Sequence, residues 1–281
     1  MKRLATALTI IAVSSPCLAE QRPEWAFFVP TAFAATQAGP QVTTAQSAAP
    51  DGQAPDVLNP PDWYPTEHPV MPAVVAHGSP PQGERTAPLL PCALCHLPNG
   101  AGHPESASLA GLPVDYLIRQ FAEFRSGERR IAVGSAGAQQ LLSALKSSYT
   151  DEQVRAAAAY FAALAPRAWI HVREVKRVPV SIVDPDSLMR TAPAGQGTEP
   201  LGSRIVELPE SESGLRNRDA HSGFIAYVPK GSLAKGKTLV TRANEWGVAC
   251  TACHGKTLNG VAGVPPLAGR PPTYLVRQLW D

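Results

Sequence analysis

The feature that most constrains this chain is a five-residue pattern that occurs twice. Cys92-Ala93-Leu94-Cys95-His96 and Cys250-Thr251-Ala252-Cys253-His254 both read C-x-x-C-H, 158 positions apart (250 − 92). The same offset carries Gly102 onto Gly260, Leu109-Ala110-Gly111 onto Leu267-Ala268-Gly269, Pro113 onto Pro271, Tyr116-Leu117 onto Tyr274-Leu275 and Arg119-Gln120 onto Arg277-Gln278, with no gap. Upstream, Gly78 falls on Gly236. Self-similarity at one fixed offset is the mark of an internal repeat, so the fold must accommodate two like units.

Two thiols three positions apart, followed at once by an imidazole, form the attachment pattern of a c-type haem. The thiols reach the two vinyl groups on one porphyrin edge, and the histidine turns back onto the iron. Two other uses of C-x-x-C fit less well. Paired zinc knuckles usually lie about 15–20 residues apart, whereas Cys95 and Cys250 are separated by 155 positions (250 − 95). A redox dithiol needs a βαβ context, which neither motif has. Of five cysteines, four belong to the motifs and Cys17 lies near the N-terminus, so none is left for a structural disulfide. A formal charge of +2 gives no footprint for nucleic acid. With 29 prolines and 22 glycines, much of the chain should be irregular.

Residues 1–19 read as a signal peptide. Lys2 and Arg3 precede an apolar run from Leu4 to Val13, and Cys17-Leu18-Ala19 fits a small-residue cleavage site, with Ala32-Phe33-Ala34 as a second choice. The run is too short to span a bilayer, so no transmembrane segment is expected. Residues 20–60, rich in Ala, Gln, Pro and Thr, read as an extended arm that docks through Trp63 and Tyr64. A first unit over 61–166 follows. In it, Met71–Gly78 suggests a short helix, Pro113 opens a helix with an apolar face of Val114, Leu117, Ile118 and Phe121, and Gly127 ends it. A short helix is predicted over Gln139–Lys146. Thr150-Asp151-Glu152-Gln153 is a capping box, and Val154, Ala157, Ala158, Phe161 and Leu164 form a buried stripe that stops at Pro166. Residues 167–230 change to strand-favouring runs at 169–172, 178–183, 205–208 and 224–228, read as a small β-rich connector. Residues 231–281 form the second unit, with a helix over Leu233–Arg242.

From each C-x-x-C-H through Leu-Ala-Gly, Pro and Tyr-Leu-x-x-Gln, the order of residues resembles small class I c-type cytochromes, with the diheme cytochrome c4-like group nearest. The likeness covers about 68–165 and 231–281. It implies a mainly α fold of two helical cytochrome c-like domains joined by the β-rich connector, with two c-type haems and a periplasmic location. It also implies electron transport with a respiratory oxidase, reductase or dehydrogenase as redox partner. Carried over by position, Cys92 and Cys95 hold the first haem and Cys250 and Cys253 the second, with His96 and His254 as iron ligands. In such cytochromes a proline carbonyl accepts the proton of the histidine Nδ1, which raises the ligand's basicity. Pro265 stands there in unit two, and Ala107 in unit one.

The chain departs from the resemblance at the sixth ligand. No methionine lies between Arg129 and Thr150. The candidates are Met189, which a segment of 23 residues after Pro166 carries back across unit one at about 3.3 Å per residue, and Met71 as the alternative, with His77 and His103 behind them. The competing reading, Met189 as a core plug of the connector, comes first, since a single methionine usually packs. Unit two stops at Trp280-Asp281, the equivalent of Ala122-Glu123, so the natural reading frame is expected to continue. An electron carrier or cytochrome subunit without catalytic residues is the favoured function. A diheme peroxidase with one open haem is the alternative.

Overall fold

In a computed structural model of the chain, the residues described are 22–27, 59–79, 89–129, 148–183, 189–242, 247–261 and 263–280. The expected signal peptide, most of the arm and the short helix over Gln139–Lys146 lie outside them. In the first unit, helices α1 (Ala73–Ala76), α2 (Cys92–His96), α3 (Val114–Ser126) and α4 (Asp151–Ala162) follow in order. The capping box forms as read: Gln153 N donates to Thr150 Oγ1 at 3.2 Å and Thr150 N donates to Gln153 Oε1 at 2.9 Å, satisfying two backbone donors that the helix start leaves unpaired. Gly127, at φ 86°, closes α3 in the left-handed conformation. Pro113 stands one place earlier than expected. It is the N-cap, extended at ψ 140°, and its carbonyl accepts from Leu117 N at 3.0 Å.

The core of this unit joins Val74 and Val75 of α1, Ala93 of α2, Ala110, and Tyr160, Phe161 and Leu164 at the end of α4. Full burial of such an apolar side chain is worth about 1.5–3 kcal/mol, so α4 is the main clamp. Tyr160, absent from the sequence-based stripe, is buried because its hydroxyl donates to Pro98 O at 2.6 Å. The apolar face of α3 is less buried than its periodicity implies: Val114 is exposed and no α3 residue is fully buried.

The second unit holds α6 (Ser232–Thr241), α7 (Cys250–His254) and α8 (Pro272–Trp280). Between the units, the described residues form seven strands and the short helix α5 (Glu212–Arg216). Strand β7 (Phe224–Pro229) is central to a three-stranded sheet, parallel to β1 (Ile170–Val175) and antiparallel to β6 (Val206–Pro209). Two antiparallel pairs flank it: β2 (Arg177–Pro179) with β5 (Thr198–Pro200), and β3 (Ile182–Val183) with β4 (Arg190–Thr191).

The expectation of a mainly α protein is therefore corrected. Of the described residues, 35% are helical and 16% are strand in several sheets, a mixed α/β composition. Two physical causes stand out. The proline- and glycine-rich stretches around the motifs leave helices of only four or five residues. The strand runs also pair at long range, β1 with β7 across 54 positions (224 − 170), so they build a sheet with a core of its own. That core, Val178, Leu201, Val206 and Leu208, is fully buried. Trp169, Leu215 and Phe224 of this region also pack with Leu97 and Ala101 of the first unit.

The aromatic pair ahead of α1 does dock. Trp63 Nε1 donates to Asn217 O at 2.9 Å and Tyr64 Oη to Asp219 Oδ1 at 2.9 Å. Tyr64 also stacks on His221 with ring centroids 3.6 Å apart. No helix among the described residues is long and apolar enough to cross a membrane.

Candidate functional site

The repeat seen in the sequence recurs in the backbone, hydrogen bond for hydrogen bond. Gly102 N donates to His96 O at 2.9 Å, and Gly260 N to His254 O at 3.0 Å. Leu109 N and Ala110 N share Gly100 O at 2.8 and 3.1 Å, while Leu267 N and Ala268 N share Leu258 O at 2.8 and 3.0 Å. Positive φ recurs at 97 and 255, 100 and 258, 102 and 260, and 111 and 269. At two of these pairs the glycine changes place: Leu97 stands opposite Gly255, and Gly100 opposite Leu258. A left-handed conformation costs a non-glycine residue roughly 1–2 kcal/mol. The shared loop path therefore outweighs the preference of the residue at each position.

This loop presents a carbonyl to each motif histidine. His96 Nδ1 lies 2.8 Å from Ala107 O, and His254 Nδ1 lies 2.9 Å from Pro265 O. A carbonyl only accepts, so in both rings Nδ1 is the donor and Nε2 is the nitrogen left to face a metal. This is how a histidine is prepared to bind a metal, with the second ring nitrogen fixing tautomer and orientation. The Ala107 carbonyl serves as the proline's does. Burial lowers the pKa of His96 and keeps its ring neutral. Burial also pushes the Cys92 thiol up to about 12 and raises that of Cys95, so both side chains are protonated thiols in the chain as it stands. Among the described residues, no three His, Cys, Asp or Glu side chains converge as a metal-holding group. The donor set at each motif, two cysteines on one helical turn and an imidazole held through Nδ1, fits a covalently attached haem.

The surroundings of the two motifs differ. At the first, Ala93 and Leu94 are buried and Phe161 stands edge-on to His96, centroids 6.0 Å apart. The turn after α5 closes over this motif. Arg218 donates to Leu94 O, and Asn99 Nδ2 donates to Ala220 O at 2.7 Å. At the second, no residue of α7 is buried, and Cys253 is exposed.

The two candidate methionines pack against different clusters of the core. Met189 packs against the cluster that holds Leu97 and Ala101, just after His96. Met71 packs against the cluster that holds Ala93, together with Cys92. His77 is exposed, with Nδ1 2.8 Å from Asn59 Oδ1. His103 is buried, 3.3 Å from Glu105 and edge-on to Phe224.

Sequence reasoning missed three arginines, of which Arg270 and Arg277 are buried and Arg218 is half-buried. Arg218 was one cation among many in a loop. Arg270 and Arg277 bond across to carbonyls of the first unit. The one available signal was Arg277 itself, which the repeat pairs with the exposed Arg119.

No protein-family model and no curated protein matches the chain. Among solved structures, the chain is similar to thiosulfate dehydrogenase (TsdBA) from Marichromatium purpuratum in its as-isolated form, with 25% identity and a TM-score of 0.39. That alignment takes in 68% of this chain and 29% of the other, so the chain spans under a third of that protein's length.

Proposed function

We propose that the chain is an electron-carrying c-type cytochrome with two covalently attached haems, working in the periplasm between redox protein partners such as a respiratory oxidase, reductase or dehydrogenase. The observation that carries this reading is the pair of histidines held alike, each through Nδ1 to a loop carbonyl 11 positions on. In this reading Cys92 and Cys95 form the thioethers to one haem and Cys250 and Cys253 to the other. His96 and His254 supply Nε2 to the irons, and Met189, with Met71 as the alternative, is the sixth ligand at the first. Haem iron, when bound, supplies a one-electron couple whose potential follows from its axial ligands and surroundings. The protein's part is to orient the imidazoles and exclude water from the first site with Phe161, Leu97 and the turn after α5. The exported location rests on the basic and apolar character of residues 1–19.

The test is haem stoichiometry of the full chain, exported from a host that attaches c-type haem. Two haems per chain are expected, resistant to acid-acetone extraction. Replacing Cys92 and Cys95 by Ala should leave one, as should replacing Cys250 and Cys253. Fewer than two haems in the wild type, or extractable haem, would overturn the reading.

A further inference from the structure

The loop over 104–110 presents the Ala107 carbonyl to His96, yet it lacks the proline that stiffens the matching loop of the second unit. Two charged side chains of the other unit grip it. Arg270 Nη1 donates to Ser108 O at 2.6 Å and its Nη2 to Ala110 O at 3.3 Å. Arg277 Nη2 donates to Pro104 O at 2.8 Å, and its Nη1 to Ala26 O at 2.7 Å. Both side chains are buried, at 8% and 3% exposure. A charged donor to a backbone carbonyl is stronger than a neutral one, and a planar guanidinium fixes two acceptors in one geometry. The carbonyls gripped lie before and after Ala107, so the two arginines define the path of the backbone between them. Within the first unit, neutral ties act on this loop: Leu109 N and Ala110 N to Gly100 O at 2.8 and 3.1 Å, and Ser108 Oγ to Ala101 O at 2.6 Å.

We propose that Arg270 and Arg277 of the second unit are positioning residues for His96, holding the Ala107 carbonyl against its Nδ1 and so setting the electron-donating strength of the first unit's imidazole. The second unit does from outside what Pro265 does within its own loop. A consequence is one-way dependence: His96 relies on the second unit, while His254 relies on its own proline. The proposal builds on the haem reading above, although the hydrogen bond itself belongs to the polypeptide.

Arg270→Lys keeps the cation and removes the two-carbonyl grip. The measurement is the 15N shift and Nδ1–H protection of both motif histidines in the full chain, with His254 as internal control, joined to a redox titration of the reduced holoprotein. The expected result is a weakened Nδ1–H hydrogen bond at His96 alone and an upward shift in one of the two midpoint potentials, because a less basic imidazole stabilises the ferric iron less. Adding Ala107→Pro to Arg270→Lys should restore both readings. An unchanged His96 signal, or equal changes at both histidines, overturns the proposal. Arg277→Lys, which loosens the same loop at Pro104, gives the same reading if the first variant does not accumulate. Should the wild type carry no haem, the haem reading fails on its own, and the histidine signals still decide the positioning role.

Discussion

The two C-x-x-C-H regions share a backbone and differ in almost everything packed on it. Each ends in a histidine whose Nδ1 meets a carbonyl at 2.8 or 2.9 Å, and each loop repeats the same positive-φ positions. Around the first, α4, the turn after α5 and the Trp169–Phe224 pair form a shell; around the second, α7 has no buried residue. Local hydrogen bonding thus follows from residues within about 20 positions of the motif, and burial follows from elements far away in the chain. A repeat in sequence guarantees the first kind of likeness and not the second.

The largest one-sided effect expected is at Phe161, which is 1% exposed and edge-on to His96. Phe161→Ala should cost about 3–5 kcal/mol by cavity formation and lost burial, read as a lower urea midpoint. His254 should keep its tautomer and hydrogen bond in ring-nitrogen NMR. A change of equal size at both histidines would break the contrast drawn here.

Next comes the seam between the sheet and the second unit. Glu207 of β6 is buried, and its Oε2 accepts from Thr273 N at 3.3 Å and from Thr273 Oγ1, at the start of α8. Among the described residues no partner is found for its Oε1. Burial, only partly offset by Thr273 and Arg277, raises its pKa from 4.5 to about 7. A carboxyl whose folded pKa is raised binds its proton more tightly in the native state, so its contribution is fully present below the unfolded value and is lost as pH rises from about 4.5 through 7. The loss is on the order of 3 kcal/mol, at 1.36 kcal/mol per pKa unit. Glu207→Gln should remove that slope from urea unfolding curves taken between pH 4.5 and 8, and should be the more stable form at pH 8. A wild-type curve that does not fall over this range would contradict the assignment.

The smallest effect is the most symmetrical. A Cβ on Gly102 would lie 2.7 Å from Ala107 O, and one on Gly260 would lie 2.6 Å from Val264 O. Both glycines have φ above 70° or at it. Gly102→Ala and Gly260→Ala should each cost at least about 1–2 kcal/mol from the left-handed backbone alone. Each should disturb only its own motif histidine, as read by the same ring-nitrogen signals. Cross-talk from Gly260→Ala to His96 would instead extend the dependence of the first unit on the second.

Much of the site was legible in the residues. The motifs and the 158-residue offset depend on residues within one short segment, where residue type and spacing decide geometry, and the carbonyl at 107 and 265 was what the family resemblance implied. The Thr150 capping box and the stop at Gly127 are local in the same sense. The strand runs were legible but not their pairing into several sheets, because β1 meets β7 across 54 positions and the propensity of a run does not name its partner. Nor was the use of Arg270 and Arg277. A repeat predicts that Arg277 should resemble the exposed Arg119, and only the packing of α8 against residues 26 and 104 buries one and not the other. Sequence alone determined how each motif is shaped; the tertiary structure decided which motif is covered and what holds its histidine, because burial is a property of distant chain brought together.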